Sequence, residues 1–202
     1  VDYRILNEYD EVMVAGLPLK DAVEKIEWFH GSLAPGLLLG GFMVDVAREL
    51  LPESVLYNAV VESPYCLPDA VQLFTPCTVG NSWLQLVDYG RFALTLYDKD
   101  TGLGVRVWAD VSKMDAHPKI RDWFLKRVPK KDLPLETLIP AILTAGRSIF
   151  SSKPVRVSET IGVGKKGNVR LCPNCGESYP EKHGALCRPC SSGGYYQETH
   201  GS

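Results

Sequence analysis

The run Leu56-Tyr57-Asn58-Ala59-Val60-Val61-Glu62, followed by Tyr65-Cys66-Leu67-Pro68-Asp69-Ala70-Val71-Gln72-Leu73-Phe74-Thr75-Pro76-Cys77-Thr78-Val79-Gly80, reads as a strand feeding a helix. Proline's fixed φ suits the first turn of a helix and an acidic residue meets the positive helix end, so the Pro68-Asp69 pair predicts a short helix from Pro68 to about Thr75. That helix holds Cys66 just before its start and Cys77 just after its end, with Asp69 and Gln72 three apart on one face. Two thiols and a carboxylate on one short element point to chemistry. The alternative is two buried cysteines acting as small hydrophobes.

Working outward, Leu19, Ala22, Val23, Ile26 and Phe29 recur at helical spacing and predict an amphipathic helix that delivers His30 to the turn His30-Gly31-Ser32. A second helix is predicted from Pro35 to Leu50 or Leu51. Its glycines, Gly36, Gly40 and Gly41, each cost about 1 kcal/mol against alanine inside a helix. Gly36 and Gly40 share one face, where a ligand, a symmetry mate or the following strand can approach closely. Residues 1–15 have no strong period and suit an arm or short helix. Downstream, Val55–Ser63, Ser82–Val87, Arg91–Asp98 and Leu103–Val111 have strand character. The turn-like Asp88-Tyr89-Gly90 and the hairpin signal Asp98-Lys99-Asp100-Thr101-Gly102 make an antiparallel meander the economical reading of the last three. Helices are predicted over His117–Val128 and from Pro134 or Leu135 to Phe150, the latter kinked or restarted at Pro140, with a strand over Pro154–Ile161. The fold class is therefore α+β, an antiparallel or mixed sheet with helices on one face.

Composition narrows the function classes. The chain has 202 residues, 45% hydrophobic and 23% charged, enough for one core and a small appendage. A net charge of −2 argues against coating nucleic acid or membrane by bulk electrostatics. Residues 153–191 nevertheless carry seven Lys/Arg against three Asp/Glu, a local +4. The longest apolar run, Leu37–Val44, is too short to span a bilayer, and no signal-peptide pattern opens the chain, so a cytoplasmic address is expected. The six cysteines then point to metal and thiol chemistry ahead of structural disulfides.

Cys172-Pro173-Asn174-Cys175 and Cys187-Arg188-Pro189-Cys190 are two knuckles, and their four thiolates are the ligand set tetrahedral zinc prefers, with iron the competitor. So few residues surround them that the metal must supply much of the folding free energy of this module. The glycine- and lysine-rich Gly162–Gly167 marks the boundary, giving a core over 1–160, a linker over 161–167, a zinc module over 168–192 and a tail over 193–202. The basic residues Lys165, Lys166, Arg170, Lys182 and Arg188 allow contact with nucleic acid or a protein, as a regulator or adaptor would make. Without interleaved aromatics, a stabilising or dimer-bracing module is favoured over nucleic-acid binding. His183 is read as a surface residue, and His117 and His200 have no assigned role.

The wording Cys66-x-x-Asp69-Ala70-x-Gln72-x-x-Thr75-x-Cys77-Thr78-x-Gly80, with Phe29-His30-Gly31, Pro35-Gly36, Asp88-Tyr89-Gly90-Arg91, Gly104-Val105-Arg106-Val107 and the cysteine-rich tail, resembles the FmdE family of formylmethanofuran dehydrogenase proteins. The family usually has histidine where Ser32 stands and cysteine where Ala34 stands, and often lysine at Asn81. The resemblance implies that His30, Cys66 and Cys77 line the site, as ligands of a second metal ion with an open position or as a thiolate beside an imidazole. Asp69 would orient His30 or hold a metal-bound water, with Gln72, Thr75 and Thr78 as polar support. Tyr89 and Arg106 would close the pocket or bind an anionic group, Arg106 through its bidentate fork. Cys66 and Cys77 also form a candidate thiol–disulfide pair. The implied partners are a second copy of the chain and the subunits of a molybdenum or tungsten enzyme. The implied role is that of an accessory to an oxidoreductase or of a stand-alone thiol or metal enzyme.

Overall fold

A computed structural model describes residues 3–52, 55–158 and 167–196. It divides into two compact units, residues 1–161 and 162–202. The first opens with a 3-10 helix, Tyr3–Tyr9, and a tight hairpin of β1 (Met13–Val14) and β2 (Leu17–Pro18) turned by Ala15 and Gly16, both at positive φ. Helices α1 (Leu19–His30) and α2 (Pro35–Glu49) follow. After β3 (Tyr57–Val61) and α3 (Leu67–Phe74) come β4 (Leu84–Leu86), β5 (Ala93–Asp98) and β6 (Leu103–Ala109). The unit closes with α4 (Pro118–Phe124), α5 (Leu135–Ala145) and β7 (Phe150–Arg156). The second unit pairs β8 (Val169–Leu171) with β9 (Ser178–Pro180) and ends in α6 (Arg188–Ser192). The α+β class is thus observed. The linker expected over 161–167 and the tail over 193–202 fall largely outside the described residues, and so does the last part of the strand expected over Pro154–Ile161.

The five-stranded sheet has the order β4-β3-β5-β6-β7 and is mixed. Its β3–β4 pair is parallel and the other pairs are antiparallel. The expected meander is corrected at its first turn, because β4 and β5 lie on opposite sides of β3 and do not pair. Strand β3, helix α3 and strand β4 form a parallel crossover unit, the connection that parallel neighbours require. The Asp88-Tyr89-Gly90 turn carries the chain across the end of β3: Asp88 Oδ1 accepts the Gly90 N–H, and the Tyr89 and Arg91 N–H groups donate to the Glu62 carbonyl. The second turn forms the expected hairpin, with Asp98 Oδ1 accepting the N–H groups of Asp100 and Thr101. Those two amides hold the Asp98 carboxyl below the usual carboxylate range.

Three boundaries move by four residues or more. Helix α4 stops at Phe124 and not at Val128, with Lys126 at positive φ just beyond. Helix α5 runs through Pro140 but stops at Ala145, where Gly146 takes a positive φ, and a 3-10 turn leads straight into β7 at Phe150. β7 therefore starts four residues earlier than the Val155/Val157/Ile161 alternation suggested. Pairing with β6 over seven residues, from Ala109↔Phe150 to Leu103↔Arg156, sets its start.

The core lies between the sheet and the helices. Ala59, Val61, Leu94, Leu96, Val105 and Val107 form the buried face, against which α2 packs. Helix α2 is buried nearly all round, from Gly36 to Asp45 and at Ala47, which marks it as the central element. Gly36 and Gly40 face the start of α3 and not the strand that follows, since an added Cβ would collide with Cys66 at position 36 and with Ala70 at position 40, whereas at Gly41 it would meet Val14 of β1 first. Among the described residues no helix is long and apolar enough to cross a membrane. Gly40→Ala gains about 1 kcal/mol of helix propensity but forces α2 and α3 apart, so a net loss of stability is expected, with overpacking costing roughly 1–3 kcal/mol. Urea unfolding followed by tryptophan fluorescence checks it.

Candidate functional site

The α1–α2 turn and the start of α3 meet at one place. Helix α1 ends on Gly31, in the left-handed conformation with its N–H bonded to the Glu27 carbonyl, and this exposes His30 at the helix terminus. Asp69, in the first turn of α3, places Oδ2 2.8 Å from His30 Nδ1. Three residues earlier, Cys66 is the N-cap of α3 and holds φ +53°, ψ −45°, with the Leu67 N–H reaching back to the Tyr65 carbonyl at 2.5 Å. A non-glycine residue in that region is strained, and such strain gathers at functional positions. The Cys66 sulfur lies against the first turn of α2, where an ideal Cβ on Gly36 would stand 2.7 Å from it. Glycine at 36 is therefore the condition for seating this thiol, a role that spacing alone left among several.

Cys77 is not brought to this group. It is fully buried past the far end of α3, and its thiol donates to the Tyr57 carbonyl at 3.4 Å. Burial pushes that thiol above its ordinary range. The expected set of His30, Cys66 and Cys77 as three ligands of one ion is thus corrected. Among the described residues, the only His, Cys, Asp or Glu group of three or more with all ligand atoms within 4.8 Å of one another is the four cysteines of the second unit. The expected polar support is also mostly absent from the site. Gln72 accepts the Val79 N–H, Thr75 donates to the Val71 carbonyl and accepts the Cys77 N–H, and Thr78 and Asn81 bond each other. These groups fold the 75–83 loop, and Asp69 alone reaches His30.

Arg106 and Tyr89 also stand differently from the expectation. The Arg106 fork is already filled by Glu62, Nε to Oε1 at 2.6 Å and Nη2 to Oε2 at 2.8 Å, a pairing that raises the guanidinium pKa. Glu62 is buried at the end of β3, and nothing in its local sequence announced the pair, since the two residues are 44 positions apart. Tyr89 is exposed, its ring 5.7 Å from the Arg91 guanidinium.

In the second unit Cys172, Cys175, Cys187 and Cys190 bring their sulfurs together as the spacing required. The Cys175 and Cys187 sulfurs are 3.7 Å apart. Zinc–sulfur bonds of about 2.3 Å at tetrahedral angles put ligand sulfurs about 3.8 Å apart, so the residues fit the ion. Asn174 Nδ2 donates to Cys190 Sγ at 3.2 Å. The amides of Cys187, Cys175 and Asn174 draw the Cys172 thiol down to about 6. Cys187 is pushed up to about 12: the Cys190 amide favours its thiolate, but burial and the neighbouring thiols outweigh it. Sulfurs this close cannot all ionise unaided, and a divalent cation among them removes the conflict. Bound there, zinc supplies folding free energy, because among the described residues of this unit the buried cluster is Tyr179 with Cys172 and Cys187, against which Leu186 and Cys190 pack. Removing the metal with a chelator is expected to unfold residues 168–192 and expose four thiols to titration, while the helical circular dichroism of the core persists.

Comparison with known proteins agrees with both halves. The family model described as "FmdE, Molybdenum formylmethanofuran dehydrogenase operon" matches residues 29–158. The FmdE treble clef zinc finger matches residues 163–197. A tungsten formylmethanofuran dehydrogenase FmdE-like protein from Syntrophus aciditrophicus has a similar crystal structure, at 47% identity and a TM-score of 0.84, covering 92% of this chain and 98% of that one. A probable S-adenosyl-L-methionine-binding protein of Archaeoglobus fulgidus is 36% identical over 96 residues, 43% of this chain and 26% of that one. This chain thus spans about a quarter of that curated relative's length. With more than half its length matched by the one model, a mixed sheet under a buried glycine-bearing helix, and a four-cysteine module later in the sequence, the chain belongs to the FmdE family.

Proposed function

We propose that this FmdE-family, metal-binding chain carries a second site in its core, formed by His30, Asp69 and Cys66, which takes a metal ion or a reactive small molecule. The observation that carries it is the His30–Asp69 contact of 2.8 Å beside a strained cysteine at the start of the same helix. A carboxylate on Nδ1 orients an imidazole and leaves Nε2 for a metal or a proton. Cys66 adds a soft ligand or nucleophile at the N-terminal end of α3, where a negative charge is favoured. With two strong donors, such a centre would keep open positions for water or substrate. Asp69 serves as positioning residue for His30.

The site is proposed to work in a homodimer. Trp28 and Tyr65, neighbours in sequence of His30 and Cys66, are 84% and 75% exposed, and large apolar side chains of this kind beside a site suit coverage by a second copy. Association with the subunits of a molybdenum or tungsten enzyme is proposed from the family's description and from the name of the Syntrophus protein.

Metal analysis of protein purified without chelator tests the core site. Two ions per chain are expected, falling to one in Cys66→Ser and in His30→Ala, while Asp69→Asn weakens the core ion about 10- to 100-fold. One ion per chain in the unaltered protein, together with no difference between it and Cys66→Ser in thiol reactivity towards iodoacetamide, overturns the reading.

A further inference from the structure

Gly36 and the His30–Asp69–Cys66 group stand at the start of α2, and a cavity of about 620 Å³ opens at its other end. Asp45, Arg48, Glu49, Leu51, Val55 and Tyr57 are among its lining residues. Asp45 is only 8% exposed. Its Oδ2 accepts the Ala15 N–H at 2.8 Å, tying the Ala15–Gly16 turn to α2. Its Oδ1 has no hydrogen-bond partner among the described residues. Most of the side chain is buried while this second oxygen is left to accept, so Asp45 offers a charged acceptor to a ligand in the cavity it lines. Burial pushes its carboxyl above the usual range.

The protein's own arginines, Arg147 and Arg48, favour its charged form from nearby without bonding it. Arg147 is bonded to Glu49, and Arg48 is exposed with no ion pair among the described residues. Asp45 belongs to no group of three or more metal-ligating side chains there, which argues against a metal ion as the occupant. Asp45 and Arg48 are three residues apart on α2, so their Cβ atoms lie about 5–6 Å apart on one face. The C-terminal end of a helix favours a positive group. A ligand suited to this pair presents an ammonium to the carboxylate and, one bond further on, a carboxylate to the guanidinium fork. The volume lies in the range of small-molecule sites, about 300–1,000 Å³, and exceeds what those two groups fill. Leu51, Val55 and the partly buried Tyr57 make one side of the remaining wall apolar, while Glu49, held by Arg147, stands on the lining beside Arg48.

We infer that this cavity binds a free α-amino acid with a bulky apolar side chain, its ammonium on Asp45, its carboxylate on Arg48 and its side chain along Leu51, Val55 and Tyr57. The site is separate from the one proposed at His30, and Cys66→Ser leaves it intact.

Calorimetric titration of the full chain with L-phenylalanine, L-leucine and L-methionine tests it. At least one is expected to bind with Kd below about 10 mM. N-acetylation of that amino acid, which removes the ammonium, and amidation, which removes the carboxylate, should each weaken binding at least tenfold, about 1.4 kcal/mol. Asp45→Asn keeps an acceptor for the Ala15 N–H and is expected to lose the ammonium contact. Arg48→Ala, at an exposed position, is expected to lose the carboxylate contact without touching the core. No binding by any of the three amino acids, or binding that survives both blocked ligands or is unchanged in Arg48→Ala, overturns the inference. Those ligand and Arg48 results decide the matter even if Asp45→Asn fails to fold.

Discussion

The close crossing of α2 and α3 is the contact on which the rest of the molecule depends. Two glycines one turn apart on α2 remove the side chains that would hold α3 away, so Ala70 and Leu67 enter the core beside Gly40 and the Cys66 sulfur rests at Gly36. Contact at this range loses about 1 kcal/mol of propensity per glycine and recovers it in dispersion and in burial of apolar side chains such as Leu37, Leu38 and Leu67. The position of α3 then sets everything near it. The helix bridges β3 to the parallel strand β4, and its first turn points Asp69 at the end of α1. A single close approach therefore joins the sheet topology to the site geometry.

The two units reach stability by different physical routes. The first has a large apolar cluster that includes α1, α2, α3, α5 and the sheet, and the second has a cluster of Cys172, Tyr179 and Cys187 and little more. Its strand β8 is exposed throughout, with Val169 and Leu171 facing water. Hydrophobic burial on that scale cannot offset the entropy of ordering so many residues, which leaves sulfur–metal bonding as the organising force.

The elements around α2 were legible because their signals are local. Helical spacing from Leu19 to Phe29, proline at the start of α2 and the Pro68-Asp69 pair put the three helices within two residues of where they lie. The four zinc-type cysteines were equally plain, since two knuckles carry their geometry in their spacing. Relations between distant residues were not legible. β3 inserts between β4 and β5 because the crossover through α3 brings the chain back beside β3, and a turn sequence such as Asp88-Tyr89-Gly90 does not reveal which strands flank it. The same holds in the site: sequence proximity to one short helix suggested that both cysteines face a common centre, whereas the helix sends them to different environments. The Glu62–Arg106 pair had no local trace because cross-strand register creates it.

The length of α3 has a chemical corollary. Eight residues of helix span about 12 Å, while a disulfide tolerates Cα atoms no more than about 7 Å apart. Cys66, partly accessible before the helix, and Cys77, buried after it with its thiol on the Tyr57 carbonyl, are both thiols and lie in different surroundings, so no cystine joins them in this fold. An oxidant that reaches Cys66 would then give a sulfenic acid or, with an external thiol, a mixed disulfide in place of a bond to Cys77, and thiol reductants reverse both forms.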